Sequence, residues 1–340
     1  MRWDAQRLEN VDDAASPLPG LPSVANLVRS VQTPEFAGLT FHEVLAKSAL
    51  NQVPSAAAVP FSWTVNPYRG CSHACTYCFA RRTHSYLQLG TGTDFDTQIV
   101  VKINVVERLR QELARASWRH EPVALGTNTD PYQRAEGRYR LMPGIVRALA
   151  DSGTPFSILT KGTTLRRDLS LLTALADRVP IGIGISLALL DDELHDVIEA
   201  GTPGPRARLS LIRAIADAGL PCQVLVAPVL PLLTDSDAQL DALLGRIASA
   251  GATSATVFAL HLRPGAREWF WAFLGRHRPA LIEPYQELYG QGSYVLRSYA
   301  SYLARRAAPL LRRHGLAGPQ VLRLPTPPPT ATQPAQATLF

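Results

Sequence analysis

Six short apolar runs, spaced by stretches of helical character, leave this chain few folds to choose from. The runs cover residues 61–65, 123–127, 156–160, 181–187, 223–229 and 255–260. Helices are expected between them, over 105–116, 143–152, 166–177, 192–199, 206–218 and 236–250. A strand that reads apolar on both faces is buried on both faces, and its parallel neighbour is reached through a helical crossover. The sequence therefore predicts an α/β fold, a partial (β/α)6 TIM-like barrel with parallel strands. Six units are fewer than the eight that close such a barrel. Helices expected over 267–276, 282–289 and 295–313 add a C-terminal helical cap.

The chain has 340 residues, 46% of them hydrophobic, enough for one large core with appendages. The expected organisation is an N-terminal extension over 1–60, the barrel over 61–265, a helical region over 266–324 and a tail over 325–340. The extension is partly irregular: 13–24 is rich in Pro, Gly, Ser and Ala, and 41–50 reads as a short helix. The tail carries five prolines and is expected to be disordered. Residues 99–103 read as a short strand outside the six. No apolar run approaches the 18 residues of a membrane span, and the N-terminus lacks the apolar segment of a signal peptide. Four cysteines, three of them clustered, fit a reducing compartment. The expected location is cytoplasmic.

The net charge is +6 and the isoelectric point about 9.3. A basic balance is compatible with a nucleic-acid partner. However, 31 of the basic residues are Arg and only Lys47, Lys102 and Lys161 are Lys, a skew of the kind GC-rich coding produces. Charge alone therefore says little about partners. The skew does draw attention to the lysines, because an ammonium and a guanidinium are not interchangeable.

Three of the four thiols, Cys71, Cys75 and Cys78, lie within eight residues, directly after the first barrel strand. In parallel barrels the chemistry sits at the C-terminal ends of the strands. Thr127, Asn128, Thr129 and Asp130 follow the second strand, Lys161 the third, Ser186 the fourth. Independent segments thus converge on one rim. A structural zinc site wants four protein ligands, commonly as two separated pairs, and no second pair is present. A cubane iron–sulfur cluster held by three thiolates keeps one iron open. His73, between the cysteines, reads as a residue that tunes or braces such a centre. Arg69, Arg81 and Arg82 read either as counter-charge to it or as ordinary surface.

The run Asn66-Pro-Tyr-Arg-Gly-Cys-Ser-His-Ala-Cys-Thr-Tyr-Cys-Phe-Ala-Arg81 resembles the radical S-adenosylmethionine superfamily, in the branch that includes spore photoproduct lyase. Residues 129–136 and Thr160-Lys161 are similar to the same branch. The resemblance implies a [4Fe-4S] cluster on Cys71, Cys75 and Cys78, with S-adenosyl-L-methionine chelated at the open iron. It implies an enzyme of lyase or transferase type that cleaves this cofactor reductively to a 5′-deoxyadenosyl radical. An external one-electron reductant, flavodoxin- or ferredoxin-like, is implied as partner. Tyr77 would lie against the adenine, or else be a core aromatic. Thr127, Asn128, Thr129 and Asp130 would meet the methionine ammonium, though Asp130-Pro131 also starts a turn. Lys161 would meet the methionine carboxylate or a substrate phosphate, against a solvated strand end. Ser186 would bond the ribose, against a buried hydroxyl.

One departure bears on the substrate. The branch's lyase has a donor thiol beside the loop after the second strand, where this chain reads Leu125-Gly126-Thr127-Asn128. The spare thiol, Cys222, starts a strand and belongs near the opposite end of the barrel. Thymine-dimer repair by that route is therefore not expected, and the substrate stays open, with nucleic acid or a nucleotide-like molecule as the leading class. The competing reading is a non-enzymatic zinc- or iron–sulfur-containing nucleic-acid-binding protein.

Overall fold

The computed structural model describes residues 26–54 and 59–324; the expectations for residues 13–24 and for the tail fall outside the described residues. The strands are β1 (Leu27–Val31), β2 (Thr40–Val44), β3 (Leu50–Gln52), β4 (Trp63–Val65), β5 (Tyr68–Arg69), β6 (Gln98–Lys102), β7 (Val123–Leu125), β8 (Phe156–Thr160), β9 (Ile181–Ser186), β10 (Cys222–Val229) and β11 (Ser254–Ala259). The larger sheet runs β11-β10-β9-β8-β7-β4-β3. Its six strands β4 and β7 to β11 are mutually parallel and follow chain order. The edges β11 and β3 do not pair, so the barrel is partial, as expected. The six strands match the six apolar runs.

Helical crossovers cover the outside. The helix Asp237–Ser249 opens on a capping box between Ser236 and Gln239. It buries Leu240, Leu243, Leu244 and Ile247, at the i, i+3, i+4, i+7 spacing of one face. Burying each such side chain fully contributes about 2 kcal/mol. One main hydrophobic cluster joins these helices to the sheet. At the end of β7, Gly126 takes φ +92°, and a Cβ there would lie 2.0 Å from the Leu159 carbonyl oxygen. Only glycine lets the chain leave β7 so close to β8 and turn into the Thr127–Asp130 segment.

One local expectation is corrected and another met in a second sheet of order β1-β2-β6-β5. Residues 41–50, expected as a helix, start within β2, because β6 offers a parallel partner along Thr40–Val44 and Phe41 packs edge-on against Phe36 and Tyr139. Pairing at a distance in sequence overrides the local preference. The run at 99–103, set apart from the six, is the partner strand β6. The described part of the N-terminal extension therefore holds three strands. Two belong to the second sheet, and β3 borders the barrel against β4.

The floor of the barrel differs from the expectation too. Gly182, Gly184 and Ser186 alternate onto one face of β9. In sequence, a Gly-x-Gly pair on a strand reads as a place of close helix–sheet packing. Instead the chain beyond the helix Arg297–Arg313 returns over them. A Cβ at Gly182 would meet the Val321 carbonyl oxygen at 2.1 Å, and one at Gly184 would meet Leu322 Cδ1 at 2.6 Å. Leu322 N donates to Gln223 Oε1 at 3.2 Å, and Ser254 Oγ donates to the Pro319 carbonyl at 2.8 Å. The C-terminal region is thus a helical cap whose trailing segment packs against the starts of β10 and β11 and the glycine face of β9.

Candidate cofactor site at the barrel rim

The cysteine loop is held by its backbone. Cys71 N donates to the Phe95 carbonyl at 2.9 Å. Gly70, at φ +77°, lets the loop pass so close that a Cβ would lie 2.9 Å from the carbonyls of both Phe95 and Gln98. The Gly70 carbonyl accepts from Thr129 Oγ1 at 2.7 Å and from Gln133 Nε2 at 3.0 Å, while Gln133 Oε1 accepts from Ser72 N at 2.9 Å. On the other side, Thr76 N donates to the Ile198 carbonyl at 2.9 Å and Gly201 N to the His73 carbonyl at 3.1 Å. Any Cβ at Gly201 would strike the Ser72 carbonyl oxygen at 2.1 Å. Arg81, 0% exposed, donates from Nε and one terminal nitrogen to the Cys75 carbonyl at 3.1 and 2.9 Å and pairs with Asp96 at 2.9 Å. It is a buried brace, not surface charge. The cost of its burial is offset by these bonds and by the rings of Phe95 and Trp269 beside it.

The three thiols are free, Cys71 and Cys75 buried and Cys78 half-buried. Burial pushes the pKa of each one up. Burial thus opposes the thiolate form, which a bound metal centre would stabilise. Among the described residues no three His, Cys, Asp or Glu side chains converge as ligands of a single metal ion. Ser72 Oγ and Arg208 Nε, both buried at this rim, find no hydrogen-bond partner among the described residues. The donor set therefore fits a cluster with polar groups left over beside it.

A buried polar ring faces the thiols. Lys161 Nζ donates to Ser186 Oγ, lies 3.5 Å from Glu199 Oε1 and sits 5.7 Å from the centre of the Tyr77 ring. The Tyr77 hydroxyl donates to Glu199, and Arg208 pairs with the other carboxylate oxygen. Glu199 and Arg208 are both 0% exposed. Burial alone would raise the pKa of Glu199, but Arg208 and Lys161 overcome it and hold the carboxyl well below the usual range. Asp130 behaves alike. Burial opposes its charge, and His73, 3.3 Å away, together with donors from Lys161 N and Thr160 Oγ1, brings its pKa down.

Tyr77, Asp130, Lys161 and Ser186 gather around Cys71, Cys75 and Cys78. Lys161 is no solvated strand end. Thr129 reaches the rim but spends its hydroxyl on Gly70. Thr127 Oγ1 and Asn128 N both turn to Asn66 Oδ1, at 3.3 and 3.2 Å. Cys222 is buried at the start of β10, its thiol pushed up to about 12 by burial. Glu199, Arg208 and Gln133 were missed. Glu199 lies more than a hundred residues from the cysteines, and nothing in local spacing marks it.

A family model, described as the radical SAM superfamily, matches residues 65–244, more than half of the chain. The chain belongs to the radical SAM superfamily. Radical SAM proteins carry a [4Fe-4S] cluster and S-adenosylmethionine, and these are the cofactors of this fold. An uncharacterised protein of Mycobacterium tuberculosis is 61% identical over 346 residues, covering all of both chains. An uncharacterised protein of Methanocaldococcus jannaschii is 24% identical over 195 residues, 57% of this chain and 69% of the relative. Among solved structures, a spore photoproduct lyase mutant matches with a TM-score of 0.61 at 16% identity, over 81% of this chain and 79% of that one. A mutant of the same lyase with bound AdoMet and dinucleoside spore photoproduct matches at 0.60 and 14%, over the same shares. At that identity the likeness is one of fold. No described helix is long and apolar enough to cross a membrane.

Proposed function

We propose that this chain is a radical SAM enzyme whose cluster is held by Cys71, Cys75 and Cys78, with S-adenosylmethionine beside it within reach of Tyr77, Thr127, Asn128, Thr129, Asp130, Lys161 and Ser186. When bound and reduced by an external one-electron donor of flavodoxin or ferredoxin type, the two cofactors supply a 5′-deoxyadenosyl radical that takes a hydrogen atom from the substrate. The chain's own work is placement and exclusion of water. Lys161 presents an ammonium between Tyr77 and Ser186, poised for a carboxylate. Tyr77, tied through its hydroxyl to Glu199, keeps its ring fixed for a planar partner. Asp130 and His73 lock the loop after β7 to the cysteine loop, so both walls of the site move together. The substrate class we favour is nucleic acid or a nucleotide-like molecule, on the basic charge and the branch resemblance. Lyase and transferase outcomes both follow from hydrogen abstraction.

The observation that carries the proposal is the meeting of three free thiols with the buried Lys161–Glu199–Arg208 ring at the rim. Anaerobic protein loaded with iron and sulfide, given S-adenosylmethionine and dithionite, is expected to release 5′-deoxyadenosine, read by chromatography and mass. Loaded protein that releases none contradicts the reading.

A further inference from the structure

Outside the site, one surface gathers exposed aromatic rings. Phe258 on β11 is 39% exposed and Tyr294 56%. Between them lies His261, stacked on Phe258 at 5.6 Å and set edge-on to Tyr294 at 4.6 Å. The arrangement is built in: His261 and Tyr294 form an antiparallel bridge, and Leu262 N donates to the Ser293 carbonyl at 2.8 Å. The row continues toward the cysteines. The Arg263 guanidinium lies 5.5 Å from the centre of the Phe79 ring, itself 47% exposed, and Phe79 follows Cys78 directly. Gly265, at φ +88°, packs on Arg82, where a Cβ would lie 3.1 Å from Arg82 Cβ. The 261–265 loop and the turn after the cysteines thus form one surface.

Its charge is as uneven as its polarity. Arg82 and Arg263 are exposed, and neither forms an ion pair with a carboxylate among the described residues. The loop's own acid, Glu268, accepts from Gly265 N at 2.6 Å and is engaged at the start of a helix. Burial and the nearby Arg263 pull the pKa of His261 down, so near neutral pH it presents a ring rather than a charge. Arg263 also donates to the Tyr294 hydroxyl at 3.5 Å. Exposed rings in a row with guanidinium groups that no carboxylate neutralises match a chain that offers flat rings and phosphates together.

We infer that Phe258, His261, Tyr294 and Phe79, with Arg82 and Arg263, form a platform on which unpaired bases of a single-stranded nucleic acid stack beside the cysteine rim. The inference rests on the reading of that rim as the reactive end and gives its substrate class a surface. Bases lie on the rings while the two arginines take adjacent phosphates. A duplex, whose bases are already stacked on one another, engages only the arginines.

Fluorescence anisotropy with a labelled single-stranded oligodeoxynucleotide tests it on the full chain, with the same sequence as a duplex for contrast. The single strand is expected to bind more tightly. Tyr294→Ala and Phe258→Ala are each expected to weaken it about tenfold, while Tyr294→Phe, which keeps the ring, binds like the original. The Arg82→Gln/Arg263→Gln variant should lower the slope of log affinity against log salt by roughly 0.7 for each arginine. Equal single-strand and duplex affinity, or Tyr294→Phe failing as badly as Tyr294→Ala, overturns the platform. So does a Tyr294→Ala variant that leaves binding unchanged but turns a dimer into a monomer by sedimentation, since the patch then covers a second copy. Protein that releases 5′-deoxyadenosine yet ignores the oligonucleotide overturns this inference alone; protein that binds it but releases none overturns the cofactor reading alone.

Discussion

The two ends of this barrel are built from opposite materials. The rim is held by buried polar and charged groups: Glu199 with Arg208 and Lys161, Asp130 beside His73, Arg81 with Asp96. The floor is closed by the absence of side chains, with Gly182 and Gly184 leaving room for the Val321–Leu322 segment. Buried ion pairs stabilise a fold little compared with apolar packing of the same volume, but they fix the positions of their members. Apolar contact against bare backbone contributes packing without fixing any functional group. The rim is therefore organised for placement and the floor for closure.

The comparison can be broken at either end. The largest expected effect is on the thiols: Cys71→Ala, Cys75→Ala or Cys78→Ala should abolish 5′-deoxyadenosine release while the circular dichroism of the apo-protein stays that of the original. Next is Glu199→Gln, which strips a fully buried Arg208 of its counter-charge and should cost about 3–5 kcal/mol in urea denaturation. Adding Arg208→Met should restore part of that loss. If the double change is as unstable as the single one, charge pairing is not what holds the rim. At the floor, Gly184→Val forces a branched side chain against Leu322 and should cost roughly 1–3 kcal/mol while leaving the iron content of loaded protein intact. A floor variant that loses its iron would show that the two ends are not separable.

The smallest effect lies away from both. Burial would raise the Glu43 pKa, but Arg29 and Tyr139 outweigh it and hold the carboxyl below its ordinary value. Its folded pKa is depressed, so its contribution is present above the unfolded carboxylate pKa and fades as pH falls below it. Glu43→Gln should flatten the acid side of the stability curve by a small margin, measured by melting temperature against pH.

Much of the barrel could be read from the sequence because its parallel strands leave short apolar runs spaced by helices, and all six did. The strand β2 could not, because what makes Phe41–Val44 a strand is β6, more than fifty residues away. The glycine pair on β9 announced a close approach but not its visitor, since the segment that fills it is bonded only through the tertiary fold. The cysteines and the rim residues Asp130, Lys161 and Ser186 were legible from strand ends alone. Glu199 and Arg208 were not. A buried ion pair looks in sequence like two ordinary surface charges near a helix, and only burial distinguishes it.

What the three cysteines hold decides the chemistry of the rim. Iron, acid-labile sulfide and zinc, counted in anaerobically prepared protein against Cys75→Ala, measure that without any substrate. Iron and sulfide near four each per chain, with a brown colour lost in the variant, is the predicted result. A colourless protein carrying one zinc per chain would contradict it.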